Sequence, residues 1–181
     1  MGLELWAAVL GLALILPGVF VYNRLVADRN QARQGYADID VQLRRRADLV
    51  PQLVEAVRGY AAYEKALLTA VTEARSAALA PQPAAARFGA ERSLGVGLQQ
   101  LVLLAESYPQ LKADAGFRDL SARLVEVEDQ LQFARRFYNG AVKQYQTQLE
   151  SFPDLVVARL FSFAPLPFFE TDDREAIRVS F

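Results

Sequence analysis

The sequence predicts an all-α protein, with an N-terminal transmembrane helix followed by an elongated antiparallel bundle of three to four long helices. Two observations lead to this class. An uncharged apolar run extends from Leu5 to Tyr22, and two later stretches carry apolar residues at heptad spacing. In addition, no segment sustains the alternation of apolar and polar residues that is typical of a half-buried strand.

The apolar run has the length of a membrane span. Its 18 residues would extend about 27 Å as a helix, close to the roughly 30 Å of a hydrocarbon core. Trp6 and Tyr22 lie near its ends, where amphipathic rings favour the headgroup level. A cleaved signal peptide is the alternative, but Glu4 precedes the run without Lys or Arg, and the run does not end in small residues. We therefore expect a single uncleaved span.

The flanking charges predict the orientation of this span. No Lys or Arg precedes it, whereas Arg24, Arg29 and Arg33 follow. The positive-inside rule then places the N-terminus outside and the C-terminal part in the cytoplasm, as in a single-pass protein of the bacterial inner membrane. The predicted organisation is an anchor over 1–23, a helical bundle over 24–170 and a flexible tail over 171–181.

The first long helix is predicted from Asn30 to Ala80. Its heptad columns are apolar except at Arg46 and Glu64, and they are typical of a helix that packs along its whole length. They comprise Tyr36, Leu43, Val50, Val57, Glu64, Val71 and Ala78, with Ile39, Arg46, Leu53, Tyr60, Leu67 and Ala74. Because the pattern keeps its phase across Pro51, we expect a kink there; a new helix capped by Asp48 is the alternative.

Three further elements complete the bundle. A proline-containing linker near 80–85 precedes a shorter apolar helix over 87–108, and a second long helix begins near Phe117. Prolines at 109 and 153 mark two boundaries, because the residue before proline avoids the helical region. Asp154 can cap a short helix that extends to Phe161.

The segment 161–169 is rich in phenylalanine and has two interpretations. It either covers the end of the bundle or makes an interfacial contact with a membrane or a partner.

Composition excludes several classes of function. The chain has no Cys and no His, which excludes disulfides, thiolate zinc sites, Ser-His-Asp triads and His-ligated haem. The net charge of −1 argues against a basic nucleic-acid-binding protein. We expect no catalytic residues, cofactor, metal or small-molecule substrate.

Charged residues within the heptad pattern are the candidate site residues. Asp40, Arg44 and Asp48 have the spacing of ion pairs on a helix surface. Arg46 occupies a core column, so burial would require a carboxylate partner; Glu128 and Asp129 are the candidates. Glu64 raises the same question, and Arg135 and Arg136 are its candidate partners. The candidate structural or interaction residues are Arg44, Arg45, Arg46, Glu64, Glu128, Asp129, Arg135 and Arg136.

The chain resembles the LemA family over about residues 20–170. The matching blocks are the segments 22–26, 29–30, 38–54, 59–61, 73–75, 105–112, 134–139 and 151–153, with Glu64, Val142 and Tyr145. The resemblance implies an N-terminally anchored helical bundle and no established enzymatic activity, so no catalytic residue is carried over. Some relatives are linked to membrane organelle formation and have been likened to curvature-associated helical modules.

Three functional hypotheses follow. The first is a non-enzymatic, membrane-anchored scaffold that acts as a homo-oligomer or through a membrane-protein partner. The second is membrane shaping through a basic helical face around Arg44–Arg46. The third, which nothing in the sequence marks, is an enzymatic or small-molecule site in the bundle core.

Overall fold

A computed structural model describes residues 2–61, 63–81 and 84–169; inside the helices, the side chains of 3–5, 7–15, 84 and 85 are not described. The described residues form helices and connecting turns without any strand, which confirms the all-α prediction. The helices are α1 (Gly2–Arg58), α2 (Lys65–Leu79), α3 (Ala84–Ala105), α4 (Pro109–Ala113), α5 (Ala115–Glu150) and α6 (Asp154–Leu160).

The chain forms two compact units. Unit 1 comprises Met1–Asp38 and Ala134–Phe181, and unit 2 comprises Ile39–Phe133.

Helix α1 continues through Pro51, as the phase of the heptad pattern predicts, and Asp48 therefore does not cap a new helix. The predicted end at Ala80 is wrong, because α1 ends at Arg58 and a turn follows. Gly59, which costs about 1 kcal/mol in a helix interior, begins that turn. Val57 and Val71 are both fully buried on either side of it. The heptad spacing of apolar residues continues in phase across this turn, so the spacing alone did not predict that the helix ends there.

The core of unit 2 is apolar and continuous. Gly97 of α3 faces α2 so closely that an added Cβ would lie 3.0 Å from Val71 Cγ2, which explains the small residue at this point. Fully buried side chains from every helix part of this unit fill the core, including Leu53, Val57, Val71, Leu94, Leu98, Leu101, Leu111 and Leu131.

Both prolines lie at helix boundaries as predicted, but the helix predicted over 87–108 begins and ends three residues earlier, because residues 106–108 form tight turns. Helix α3 ends at Ala105, and Pro109 opens α4, where its missing N–H leaves no bond unmade. Helix α5 starts two residues earlier than the pattern indicates, because the Asp114 carboxylate accepts a bond from Phe117 N at 2.8 Å and caps the helix.

In unit 1, α1 and α5 run antiparallel. Asp28 accepts a 2.9 Å hydrogen bond from Gln144 Nε2, and the rings of Tyr36 and Tyr138 meet edge to face. Gly35 lies where a Cβ would come within 3.2 Å of the Tyr138 Cα, so the two backbones approach closely. Leu25 lies fully buried in this core.

The phenylalanine-rich segment is a strap (residues 161–169) that folds back along α5. Polar side chains of α5 bind its backbone. The Tyr138 hydroxyl donates to Pro167 O at 2.6 Å, and Tyr145 donates to Ala164 O at 3.1 Å. Asn139 exchanges two bonds with Phe169, which is buried. Residues 164–169 therefore pack along α5 rather than over the end of the bundle, whereas Phe161 stays more than half exposed.

The predicted cap of α6 is wrong. Asp154 is the first residue of the helix, after Pro153, and no side-chain bond caps it. Its buried carboxylate instead lies 3.8 Å from Arg24 Nη1. An ion pair with a neighbouring helix is a long-range contact that local spacing does not encode.

Within the described residues, no helix carries a stretch long and apolar enough to cross a membrane. Most of the predicted span, and the predicted tail over 171–181, fall outside the described side chains.

Candidate functional site

A buried arginine with two carboxylates lies inside unit 2. The Arg46 side chain is 3% exposed, and its Nη2 donates to Glu91 Oε2 at 2.5 Å and to Glu91 O at 2.9 Å. Its Nη1 donates to Glu128 Oε1 at 3.0 Å. We call these three residues the Arg46 cluster. Charge-assisted bonds of this kind are the stronger ones in proteins.

Three helices position the Arg46 cluster. Arg46 comes from α1, Glu91 from α3 and Glu128 from α5. Gly95 of α3 lies beside the guanidinium, where an added Cβ would be 3.4 Å from Arg46 Nη1, an ordinary contact distance. The Glu91 side chain is 4% exposed, whereas that of Glu128 is 35% exposed. Glu91 is thus the carboxylate that depends most on the guanidinium for its solvation.

The sequence prediction identified only part of this cluster. The structure places Arg46 in the core with Glu128 as a partner, and Asp129 on the exposed surface. Glu91 was missed. The sequence did contain an indication of its role, because Glu91 lies at heptad spacing with Leu94, Leu98 and Leu101, on a helix face where an acidic residue is unusual.

The other charges near Arg46 differ from the prediction. Asp40 Oδ1 lies 2.8 Å from Arg87 Nη2, so its described ion pair joins α1 to α3 and not to Arg44. Arg44 and Arg45 are exposed.

The expected partners of Glu64 are also different. Glu64 lies in the turn before α2, where it accepts a 3.4 Å bond from the Tyr108 hydroxyl. Arg135 lies over the Phe169 ring at 4.9 Å, and Arg136 is exposed. The predicted pairing assumed a helix that continued through residue 64, and the turn moves this side chain out of the column.

Unit 1 contains a shallow groove of about 350 Å³, lined by Arg24, Gly140, Lys143, Gln144, Thr147 and Gln148. Among the residues that the structure describes, no three Asp, Glu, His or Cys side chains are grouped as a metal site would require. The groove offers cations and amides, and it contains no nucleophile paired with a base.

Comparison with known proteins identifies the family of this chain. The model of the LemA family matches residues 35–181, most of the chain. The chain belongs to the LemA family. It is also similar to magnetosome proteins MamQ 1 and MamQ 2 of Paramagnetospirillum magneticum, each 22% identical over 175 residues, covering 82% of this chain. Magnetosome protein MamQ of Magnetospirillum gryphiswaldense is 21% identical over 174 residues, again covering 82% of this chain. The alignments span 64% of each relative's length, less than two thirds.

Two buried tyrosines of this LemA-family chain have perturbed acidity. Burial raises the pKa of Tyr145, and the nearby charges of Arg29 and Arg33 partly oppose that rise. Burial also raises the pKa of Tyr138, and Tyr36 adds to the effect. Both hydroxyls donate to strap carbonyls. Their neutral form is therefore part of how the strap is held.

Proposed function

We propose that this chain is a non-enzymatic, membrane-anchored helical scaffold that acts through self-association or partner binding. The observation that carries the proposal is the continuity of α1, which extends from Gly2 without a loop into the core of unit 1 at Val21 and Leu25. An apolar run joined in this way would anchor unit 1 rigidly.

Exposed apolar side chains on α1 support the anchor. Trp6 is 74% exposed and Phe20 is 69% exposed, while Leu16 and Val19 are also open. Large apolar groups in such a row favour a non-aqueous environment. The arginines that follow the run favour a single-pass topology with a cytoplasmic bundle.

Exposed apolar side chains in unit 2 support partner binding. Leu103 and Val125 are each 60% exposed and Phe133 is 62% exposed, although each lies on a helix that buries another face. Of the three, Phe133 is of the aromatic type that is enriched in protein interfaces. The resemblance to proteins named as magnetosome proteins supports a role at an organelle membrane.

Cysteine labelling tests the anchor, because the chain has no native cysteine. Ser151→Cys and Gly2→Cys are each expressed as the full chain, and spheroplasts are treated with an impermeant maleimide. We expect Gly2→Cys to react in intact spheroplasts and Ser151→Cys to react only after lysis. Reaction of Ser151→Cys from outside would overturn the orientation, and release of the protein by alkaline carbonate would overturn the anchor.

Cross-linking tests the scaffold. Val125→Cys in native membranes is expected to cross-link to a second copy or to a partner, whereas the neighbouring exposed Gln130→Cys serves as the matched control. Equal, background cross-linking at both positions, together with a monomer in mild detergent, would overturn the scaffold mechanism.

The basic-face alternative rests on Arg44 and Arg45 alone. Arg46 is enclosed in its cluster and unavailable to lipid. Two arginines would add about 1 kcal/mol each to lipid binding. Vesicle binding that is lost in Arg44→Ala/Arg45→Ala with no loss of self-association would favour this alternative.

A further inference from the structure

Helix α6 and the turn residues on either side of it carry an outward apolar surface. Phe152 is 84% exposed and Leu160 is 75% exposed, and Val156 and Phe161 are each more than half exposed. We call these four residues the α6 surface. Val156 and Leu160 lie one turn apart on the same face of the helix.

The opposite side of α6 is fixed to unit 1. Asp154 and Ala158 are buried, and Ala158 belongs to the same core cluster as Leu25 and Tyr145. Ser162 adopts the left-handed conformation after the helix, with φ 54°. Phe163 N then bonds Ala158 O at 2.9 Å, and Ser162 N bonds Arg159 O at 3.3 Å. This is a Schellman motif. The α6 surface therefore cannot turn inward without breaking these contacts.

The level of α6 along α1 follows from the antiparallel register in unit 1. The pairs Asp28–Gln144 and Arg24–Asp154 fix that register, and they place the end of α5 beside residues 22–24 of α1. The exposed side chains of Leu16, Val19 and Phe20 belong to the part of α1 that precedes this level. Helix α6 is thus positioned next to the point where these exposed apolar side chains of α1 begin.

The α6 surface is continuous with α1. The Phe161 ring meets the Tyr22 ring edge to face, with centroids 4.9 Å apart. Arg24, which pairs with Asp154 at the start of α6, and Arg159 near its end are both exposed cations. Aromatic rings beside arginines are typical of the headgroup boundary of a membrane.

We propose that the α6 surface lies in the headgroup–acyl boundary of the bilayer that holds α1, forming a second, interfacial membrane contact. The inference rests on the proposed anchor. Apolar faces of interfacial helices enter this boundary by about 5–10 Å. A second copy fits less well, since four side chains are far fewer than the roughly 20–30 residues that each partner contributes to a stable interface.

Lipid-attached quenchers test this placement. The full chain with Val156→Cys is labelled with an environment-sensitive dye and reconstituted in phosphatidylcholine–phosphatidylglycerol vesicles with shallow nitroxide lipids. We expect a shift of the emission to shorter wavelength and a loss of emission on adding the quencher lipids. Thr147→Cys, exposed on α5, is the matched control and should show neither change.

A third label separates this inference from the anchor. Phe20→Cys should be quenched whenever α1 is inserted. Quenching at residue 20 without quenching at 156 would overturn the α6 contact and leave the anchor intact. Absence of quenching at both would overturn the anchor and, with it, this inference. A shift at 156 that disappears on dilution of the protein and is insensitive to quencher lipids would assign the surface to a second copy.

Discussion

Replacing Arg46 with alanine should destabilise unit 2 strongly, by about 3–5 kcal/mol, the range for leaving one partner of a buried ion pair uncompensated. The different burial of the two carboxylates indicates which of them causes most of this loss of stability. The Glu91 side chain is 4% exposed, while that of Glu128 is 35% exposed and already contacts solvent. Most of the loss should therefore come from Glu91.

The assay is urea unfolding of the full chain in mild detergent, followed by far-UV circular dichroism. Arg45→Ala is the matched control, because its side chain is exposed and its removal should stay within about 0.5 kcal/mol. Arg46→Ala/Glu91→Gln should recover much of the lost stability, since the double variant removes the uncompensated charge as well.

Two results would refute this reasoning. Equal, small losses in Arg45→Ala and Arg46→Ala would show that the cluster contributes little to folding. A double variant no more stable than Arg46→Ala would show that lost packing, and not the stranded carboxylate, causes the effect.

Three other predictions concern the core, the strap and the turn after α6. Leu124 is 6% exposed, so Leu124→Ala should lower the free energy of unfolding in urea by about 2–5 kcal/mol, while Val125→Ala should change it little. A urea midpoint of Leu124→Ala equal to that of the parent chain would contradict the core assignment. Burial raises the pKa of Tyr145, so the stability it contributes is complete below the unfolded pKa of about 10 and is lost as pH rises through the folded pKa. Tyr145→Phe should accordingly lose less stability between neutral and strongly alkaline pH than the parent chain, and an equal loss would contradict this. Ser162→Gly should stabilise by about 0.5–1 kcal/mol, because glycine adopts positive φ without the side-chain penalty, whereas Ser162→Ala should give no gain in thermal midpoint.

Local periodicity and proline positions were enough to predict the helical class and the helix boundaries near Pro109 and Pro153 to within a few residues. The phase of the columns carried α1 through Pro51, and the prolines at 109 and 153 marked where helices stop. Helix formation and its interruption at proline depend on residues within a few positions of one another, which a sequence displays directly.

Tertiary structure decided the partners. The turn after Arg58 removed Glu64 from its column, and Glu91 became the closest partner of Arg46 although 45 residues separate them. Asp154 forms an ion pair with Arg24 at 3.8 Å and does not cap its own helix. The strap carbonyls accept hydrogen bonds from Tyr138 and Tyr145 of α5. These outcomes depend on which helix faces meet in space, and a buried charge takes whichever opposite group the packing brings within hydrogen-bond distance. The sequence alone therefore determined that Arg46 would need a carboxylate if buried, and only the packing of α1, α3 and α5 determined which carboxylates it received.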